Sequence, residues 1–198
     1  MSLTLSIAER DAFQALRSFL IAILPDGTEV VKNQGNRVPE PTSDDFVRMT
    51  PLFRDRIETN VTTYRDGYPS GPSVKDVLQP TKFTVQLDVH GPASGDNAQL
   101  ITTLFRDEYA VDQFAAAAPG LAPLYSSEAR QIPFTNGEQQ IETRWTVDLV
   151  MQINPVVTVP QEFADKLEIG TAGNPVTATT KQPKAWSGLK PVDTAKPL

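Results

Sequence analysis

The sequence predicts an α+β fold: a mainly antiparallel sheet packed by an N-terminal helix and a central helix, with an extended C-terminal arm. Three observations predict it. From Phe83 to His90 the residues alternate strictly, with Phe83, Val85, Leu87 and Val89 on one face and Thr84, Gln86, Asp88 and His90 on the other. That period of two belongs to a half-buried strand. Directly after it Gly91-Pro92 stops the strand, and Ala98, Ile101, Leu104, Phe105 and Tyr109 take up a helical stripe. A second alternating run follows later, with Ile141, Thr143, Trp145, Val147, Leu149, Met151 and Ile153 on one face. Thirteen such residues would span roughly 43 Å at about 3.3 Å per residue, long enough to leave the domain, bend at a bulge or meet a neighbouring subunit.

Taken from the start, Ser6-Ile7-Ala8-Glu9 predicts a capping box, with Ser6 as N-cap. Phe13, Leu16, Leu20, Ile23 and Leu24 then recur at helical spacing until Pro25 ends the helix. Thr28–Lys32 is β-prone, and 33–45 is a polar loop containing Pro39 and Pro41. Phe46–Thr50 reads as a strand limited by Pro51, and Ile57–Tyr64 alternates again, so the two are expected to pair antiparallel. Asp66–Gln79, with two glycines and two prolines, reads as a loop. Asp96-Asn97-Ala98-Gln99 predicts a second capping box. A further helix is expected over Val111–Ala118, opened by Asp107 and Glu108, favoured by four alanines and ended by Pro119-Gly120, and a strand over Leu124–Ile132. Asn136-Gly137 suits a tight hairpin turn. Val156–Val159 is extended, and Gln161–Glu168 reads as a short helix or a docking arm.

The 198 residues suffice for one domain with a sizeable core, and 39% hydrophobic against 21% charged residues favours a folded chain over a disordered one. No apolar run reaches the roughly 20 residues of a membrane-spanning helix, and no secretion signal is expected at the N-terminus. The chain has no cysteine, which excludes disulfides and thiolate metal sites and is compatible with a cytoplasmic product. Its net charge of −6 is uneven, since the only charges after Gly170 are Lys181, Lys184, Lys190 and Lys196 against Asp193. An acidic body argues against phosphate binding, whereas a small basic tail can dock on an acidic neighbour, including another copy. The domain is expected over residues 1–169 and the Pro/Thr/Lys-rich arm over 170–198, which lacks the apolar residues to fold alone.

Chemistry-bearing motifs are few. His90 is the only histidine, so no multi-histidine metal site can form within one chain. Asp88, His90 and Ser94 invite comparison with a hydrolytic triad, but one strand and its turn rarely supply both base and nucleophile, and no Gly-x-Ser-x-Gly elbow is present. A surface strand histidine is the expected reading. Gly91–Asp96 precedes a helix like a phosphate loop, yet it lacks the lysine and carries an aspartate where an anion would sit. Arg54, Asp55, Arg56 and Glu58 form a charge cluster, read either as a solvated strand edge or as an intersubunit ion-pair network. Trp186, alone among polar tail residues, fits an interface anchor.

Several segments together carry a family resemblance: Asn36-Arg37-Val38-Pro39-Glu40-Pro41, Asp45-Phe46-Val47-Arg48-Met49-Thr50-Pro51-Leu52, Thr59-Asn60-Val61 with Tyr64, Val85–Pro92, Asp96-Asn97-Ala98, and Asn154–Pro160 with Phe163-Ala164-Asp165. Over about residues 5–168 the chain resembles the neck or tail terminator proteins of tailed bacteriophages. The resemblance implies a structural virion protein with no enzymatic activity, no cofactor and no metal. It implies a homohexameric ring that caps the tail tube and joins it to the neck connector, leaving a channel for DNA. The implied partners are other copies, the tail tube protein and the neck connector, with the sheath protein a further candidate and no membrane. Assembly would take place in the host cytoplasm. Contacts between chains are expected from the 34–42 loop (Gln34, Asn36, Arg37), from Arg54, Arg56 and Glu58, and from Trp186 and Lys190 of the arm. The alternatives are another neck or tube component, such as a collar, head-completion or tube protein, and a small hydrolase using His90 and Ser94.

Overall fold

The computed structural model describes residues 3, 5–32, 41–67, 71–135, 141–168 and 177–180. In chain order the helices are α1 (Glu9–Ile23), α2 (Ser94–Phe105) and α3 (Glu108–Ala117). The strands are β1 (Glu29–Lys32), β2 (Phe46–Arg56), β3 (Val61–Arg65), β4 (Val74–Leu78), β5 (Thr81–His90), β6 (Leu121–Ser126), β7 (Arg130–Gln131), β8 (Phe134–Thr135), β9 (Ile141–Glu142), β10 (Arg144–Ile153), β11 (Val156–Pro160), β12 (Ala164–Glu168) and β13 (Thr177–Thr180). They form two compact units. The larger comprises Thr4–Val61 and Leu78–Val157; the smaller comprises Met1–Leu3, Thr62–Val77 and Thr158–Leu198.

The larger unit is built on a sheet of order β1-β2-β5-β10-β6, with β7 also on β10. Only β1 and β2 run parallel; the other pairs are antiparallel, so the fold is α+β. β5 is paired on both sides along its length, Leu87 lying opposite Met49 on β2 and Val147 on β10. The register stacks the apolar rows of three strands on one face: Val47 and Met49, then Phe83, Val85, Leu87 and Val89, then Val147, Leu149 and Met151. Helical residues share this core, namely Phe13, Leu16, Phe19 and Leu20 of α1, Ala98, Ile101 and Phe105 of α2, and Phe114 of α3. Phe19 is the hub, with ring centres 5.8 Å from Phe105 and 5.7 Å from Phe114. The helices therefore cover one face of the sheet only.

Several local expectations are corrected. α1 starts after Ala8, not Ser6, and the Asp11 carboxylate accepts the Ala8 N–H at 2.9 Å. Ser6 is occupied elsewhere: its N–H donates to the Val156 carbonyl, and its Oγ accepts the Val156 N–H at 2.9 Å. α2 starts at Ser94, which places Asp96 in its first turn rather than at the cap. The Asp45 carboxylate accepts the Ala93 N–H at 2.9 Å and takes over the start of α2. Pro51 does not end β2, because a bulge between Pro51 and Phe53 absorbs it and the strand runs on to Arg56. β2 does not pair with β3, since its two edges are taken by β1 and β5. The helix expected over Val111–Ala118 is α3, which Asp107 opens as expected, its carboxylate accepting the Tyr109 N–H, so that the helix starts three residues earlier. The long run from Ile141 divides into β9 and β10. β8 and β9 pair antiparallel, as a hairpin would, and the Asn136-Gly137 turn lies outside the described residues.

The smaller unit carries the sheet β11-β4-β3 and the pair β12-β13. The expected 66–79 loop contains β4, and the expected helix or arm over Gln161–Glu168 contains β12, which is laddered to Thr177–Thr180. Asp76 of β4 ties three strands together. It accepts Arg65 Nε of β3 at 2.5 Å and Thr158 Oγ1 of β11 at 2.6 Å. These two donors hold its carboxyl below the usual carboxylate range, the Arg65 hydrogen bond being the larger cause. Tyr64 meets Phe163 edge to face at 6.2 Å.

Candidate subunit interface

The face of the main sheet opposite the helices is laid out by the same register. Residues directly opposite on paired strands share a face. One cross-strand row reads Phe53, Thr84, Val150 and Tyr125, contributed by β2, β5, β10 and β6. Its middle is covered and its ends are not: Thr84 is 8% exposed, but Phe53 is 61% and Tyr125 51% exposed. The neighbouring rows are polar. Thr50, Gln86 and Asp148 form one, and Arg48, Asp88, Thr146 and Arg130 the next. The last holds Phe46, His90 and Arg144. The helix-free face is thus an apolar band beside a charged field.

The charged field is internally organised around Asp88. Thr146 Oγ1 donates to Asp88 Oδ1 at 2.9 Å within the buried sheet. Gln86 Nε2 donates to both Asp88 oxygens at 3.1 and 3.2 Å, and Arg144 Nε stands 3.7 Å away. At the outer edge Arg130 Nη2 bonds Asp148 Oδ2 at 3.2 Å. Long side chains reach across the central strand, which is how polar residues there become buried.

His90 departs from the expected surface histidine. It is 2% exposed and stacked on Phe46, the rings 4.4 Å apart at 12°. Burial is the main cause that pushes its pKa below the ordinary histidine value, with the Arg48 charge second. Ser94 is fully buried at the start of α2. Hydrolysis would need both side chains open to a substrate, and neither His90 nor Ser94 lines the groove described below.

Of the residues expected at an interface, Arg54 and Arg56 have partners in their own chain. Arg54 Nη2 bonds Glu9 Oε2 at 2.9 Å and its guanidinium lies over the Phe83 ring, on the helix side of the sheet. Glu9 also accepts Lys32 Nζ at 2.6 Å, and that bond is the first cause of its lowered pKa. With the Gln79 amide turned so that its oxygen faces Arg56, that oxygen accepts Arg56 Nε at 2.8 Å. Glu58 is exposed in the segment between β2 and β3. Gln34, Asn36, Arg37, Trp186 and Lys190 lie outside the described residues. The sequence reading missed Phe53 and Tyr125. Neither stands in an alternating run, and their common row exists only once the strands are in register.

A groove of about 310 Å³ lies beside α2 in the larger unit. Gly95, Gln99, Thr102, Thr103 and Arg106 line it along the helix, with Glu128, Ala129 and Trp145 completing it. Among the described residues no cluster of three or more His, Asp or Glu side chains could hold a metal ion, and no helix is long and apolar enough to cross a membrane.

Comparison with known proteins bears on what such a surface is for. No curated protein matches the chain in sequence. One similar solved structure is the sheath/tube terminator of an extracellular contractile injection system, PVC, in its extended state. It is 13% identical with a TM-score of 0.43, and the match covers 91% of this chain and 66% of that one. The family model for phage neck terminator proteins matches residues 10–174, so the segments quoted above lie almost entirely within the match. A match of that extent makes the chain a member of the phage neck terminator protein family, a structural component of the phage tail and neck.

Proposed function

We propose that this protein terminates the tail as a closed ring. Copies of the chain, six by the family resemblance, associate side by side, cap the end of the tail tube and present the opposite rim to the neck connector. DNA passes through the centre. The observation that carries the reading is the row Phe53–Thr84–Val150–Tyr125, whose aromatic ends stay 61% and 51% exposed in a single chain, Tyr125 even with the Arg106 guanidinium over its ring. Exposed apolar bands of this kind mark interaction surfaces. The acidic balance of the body suits a passage that must not hold phosphates. The 34–42 loop, the Arg54–Arg56 segment and the arm over 170–198 supply further contacts between chains and to the tube or neck. Assembly takes place in the host cytoplasm, and the ring remains in the virion.

Light scattering on the full-length protein tests the reading. About six chain masses are expected over a range of concentrations. Phe53→Lys and Tyr125→Lys, both at exposed positions, should shift the mass toward the monomer while changing thermal stability by about 0.5 kcal/mol or less. A monomer at every concentration, combined with absence from purified virions, overturns it. A copy number in virions that grows with tail length would instead assign the chain to the tube.

A further inference from the structure

We propose that the groove beside α2 receives the indole of Trp186 from the C-terminal segment of a neighbouring copy; the inference rests on the ring reading above. The groove is the right size and depth for one aromatic side chain. At about 310 Å³ it lies at the small end of ligand sites, and Trp145 offers an indole against which a second ring can pack. Gly95 borders it, and a Cβ there would stand in ordinary contact with the Trp145 indole, 3.4 Å from Nε1.

The charges choose the occupant. Arg106, the one basic residue of the groove, is already engaged. Its Nη2 bonds the Ser126 carbonyl, its Nε bonds Ser126 Oγ at 2.9 Å, and Glu128 Oε1 lies 3.2 Å away. Its guanidinium also covers the Tyr125 ring at 4.5 Å. The Glu128 side chain nevertheless remains 84% exposed. Asp96 is exposed one helical turn before Gln99, on the same stripe. The rim is therefore acidic. In residues 181–198, Trp186 is flanked by Lys181, Lys184 and Lys190, with Asp193 the single acid. Lysine and tryptophan in that spacing place an aromatic anchor between charges that complement Asp96 and Glu128.

Length allows the step to another chain. Five residues separate Thr180 from Trp186, a fully extended reach of about 20 Å. In a ring each copy is flanked by an identical neighbour, so an arm leaving one copy finds the groove of the next. A contact of that head-to-tail kind is what closes a ring.

The absence of cysteine makes the test direct. Full-length protein carrying both Gln99→Cys and Ser187→Cys is oxidised and resolved by size under denaturing conditions. The expected result is a covalent ladder of chains, at least about tenfold more abundant than in a Gln113→Cys/Ser187→Cys control, because docking raises the local thiol concentration to the millimolar range. Adding Trp186→Ala should reduce the ladder to the control level, and Glu128→Lys should weaken it. A link formed only within one chain overturns the proposal, as does a yield no higher than the control. Light scattering on the same samples separates the two readings. A ring mass without the ladder overturns the docking alone, whereas a monomer mass without it, together with absence from purified virions, removes the ring as well.

Discussion

Gly91→Ala is the substitution that should test the junction of β5 and α2 most sharply. Gly91 has φ +104°, a backbone conformation that costs an L-residue about 1–2 kcal/mol. Space is a second obstacle. A Cβ at this position would overlap the Asp44 carbonyl oxygen and stand 2.9 Å from the Asp45 Cα. Asp45 must move, and it is the residue that accepts the Ala93 N–H at 2.9 Å. Loss of a hydrogen bond to a charged group costs about 1.5–3 kcal/mol. Together the two effects give about 3–5 kcal/mol, or roughly a 10 °C fall in Tm for a domain of this size. Gly27→Ala is the internal control. Its φ is +93° and a Cβ there meets nothing within 4 Å, so only the backbone cost of about 1–2 kcal/mol applies. Urea unfolding followed by tryptophan fluorescence, at one fixed protein concentration, measures both. Equal losses at the two glycines would refute the argument that Gly91 is required by its neighbours.

The remaining predictions concern the core, the buried polar field and the smaller unit. Phe19→Ala, which removes the aromatic hub of the three helices, should cost about 3–5 kcal/mol in the same unfolding assay. Thr146→Val should cost about 1–2 kcal/mol by taking a donor from buried Asp88, and Thr146→Ser should restore most of it. His90, faced by Phe46, Arg48, Arg144, Asp88 and Glu142, has its pKa lowered by burial. The unfolded chain therefore takes up this proton first, and stability should fall as pH drops below about 6.5 toward the folded-state value. His90→Gln should flatten the profile between about pH 7.5 and 5.5, above the main carboxylate range. For Asp76 the sign is opposite in origin but alike in direction. Its lowered pKa means its hold on β3 and β11 is present above the ordinary carboxylate pKa and is lost as pH falls through the folded value. Asp76→Asn should speed amide exchange in β3 and β11 at neutral pH and leave β5 unchanged.

What could be read from the sequence follows from where the physical determinants lie. The β5 strand and the α2 stripe were legible because apolar periodicity is local. So was the α+β class. The Asp107 cap of α3 was legible too, being local, but those of α1 and α2 were not, since their determinants come from far along the chain: Ser6 is taken by Val156, and Asp45 serves a helix 48 residues later. Pro51 misled because a bulge can absorb a proline that a regular ladder cannot. Alternation placed Asp88 and His90 on the polar face correctly, but polar does not mean exposed. Phe46, Gln86, Arg144 and Thr146 close over them, and that requires the register. The Phe53–Tyr125 row was hidden for the same reason, since its members, Phe53 to Val150, are separated by up to 97 positions in the chain. The family resemblance was readable because it rests on short segments kept in order.

The placement of β5 between β2 and β10 also sets a timetable for synthesis. When β5 emerges from the ribosome its partner β2 is already available, but β10 lies more than fifty residues further on. Until residues 144–153 have emerged, the central strand offers one open edge, and the Phe83–Val89 row waits for the rest of its cover. Sheets closed by such distant pairings form slowly, and an open apolar strand invites pairing with other chains. The long-range pairing that makes the finished sheet secure thus makes its last strand the step on which the yield of folded protein depends.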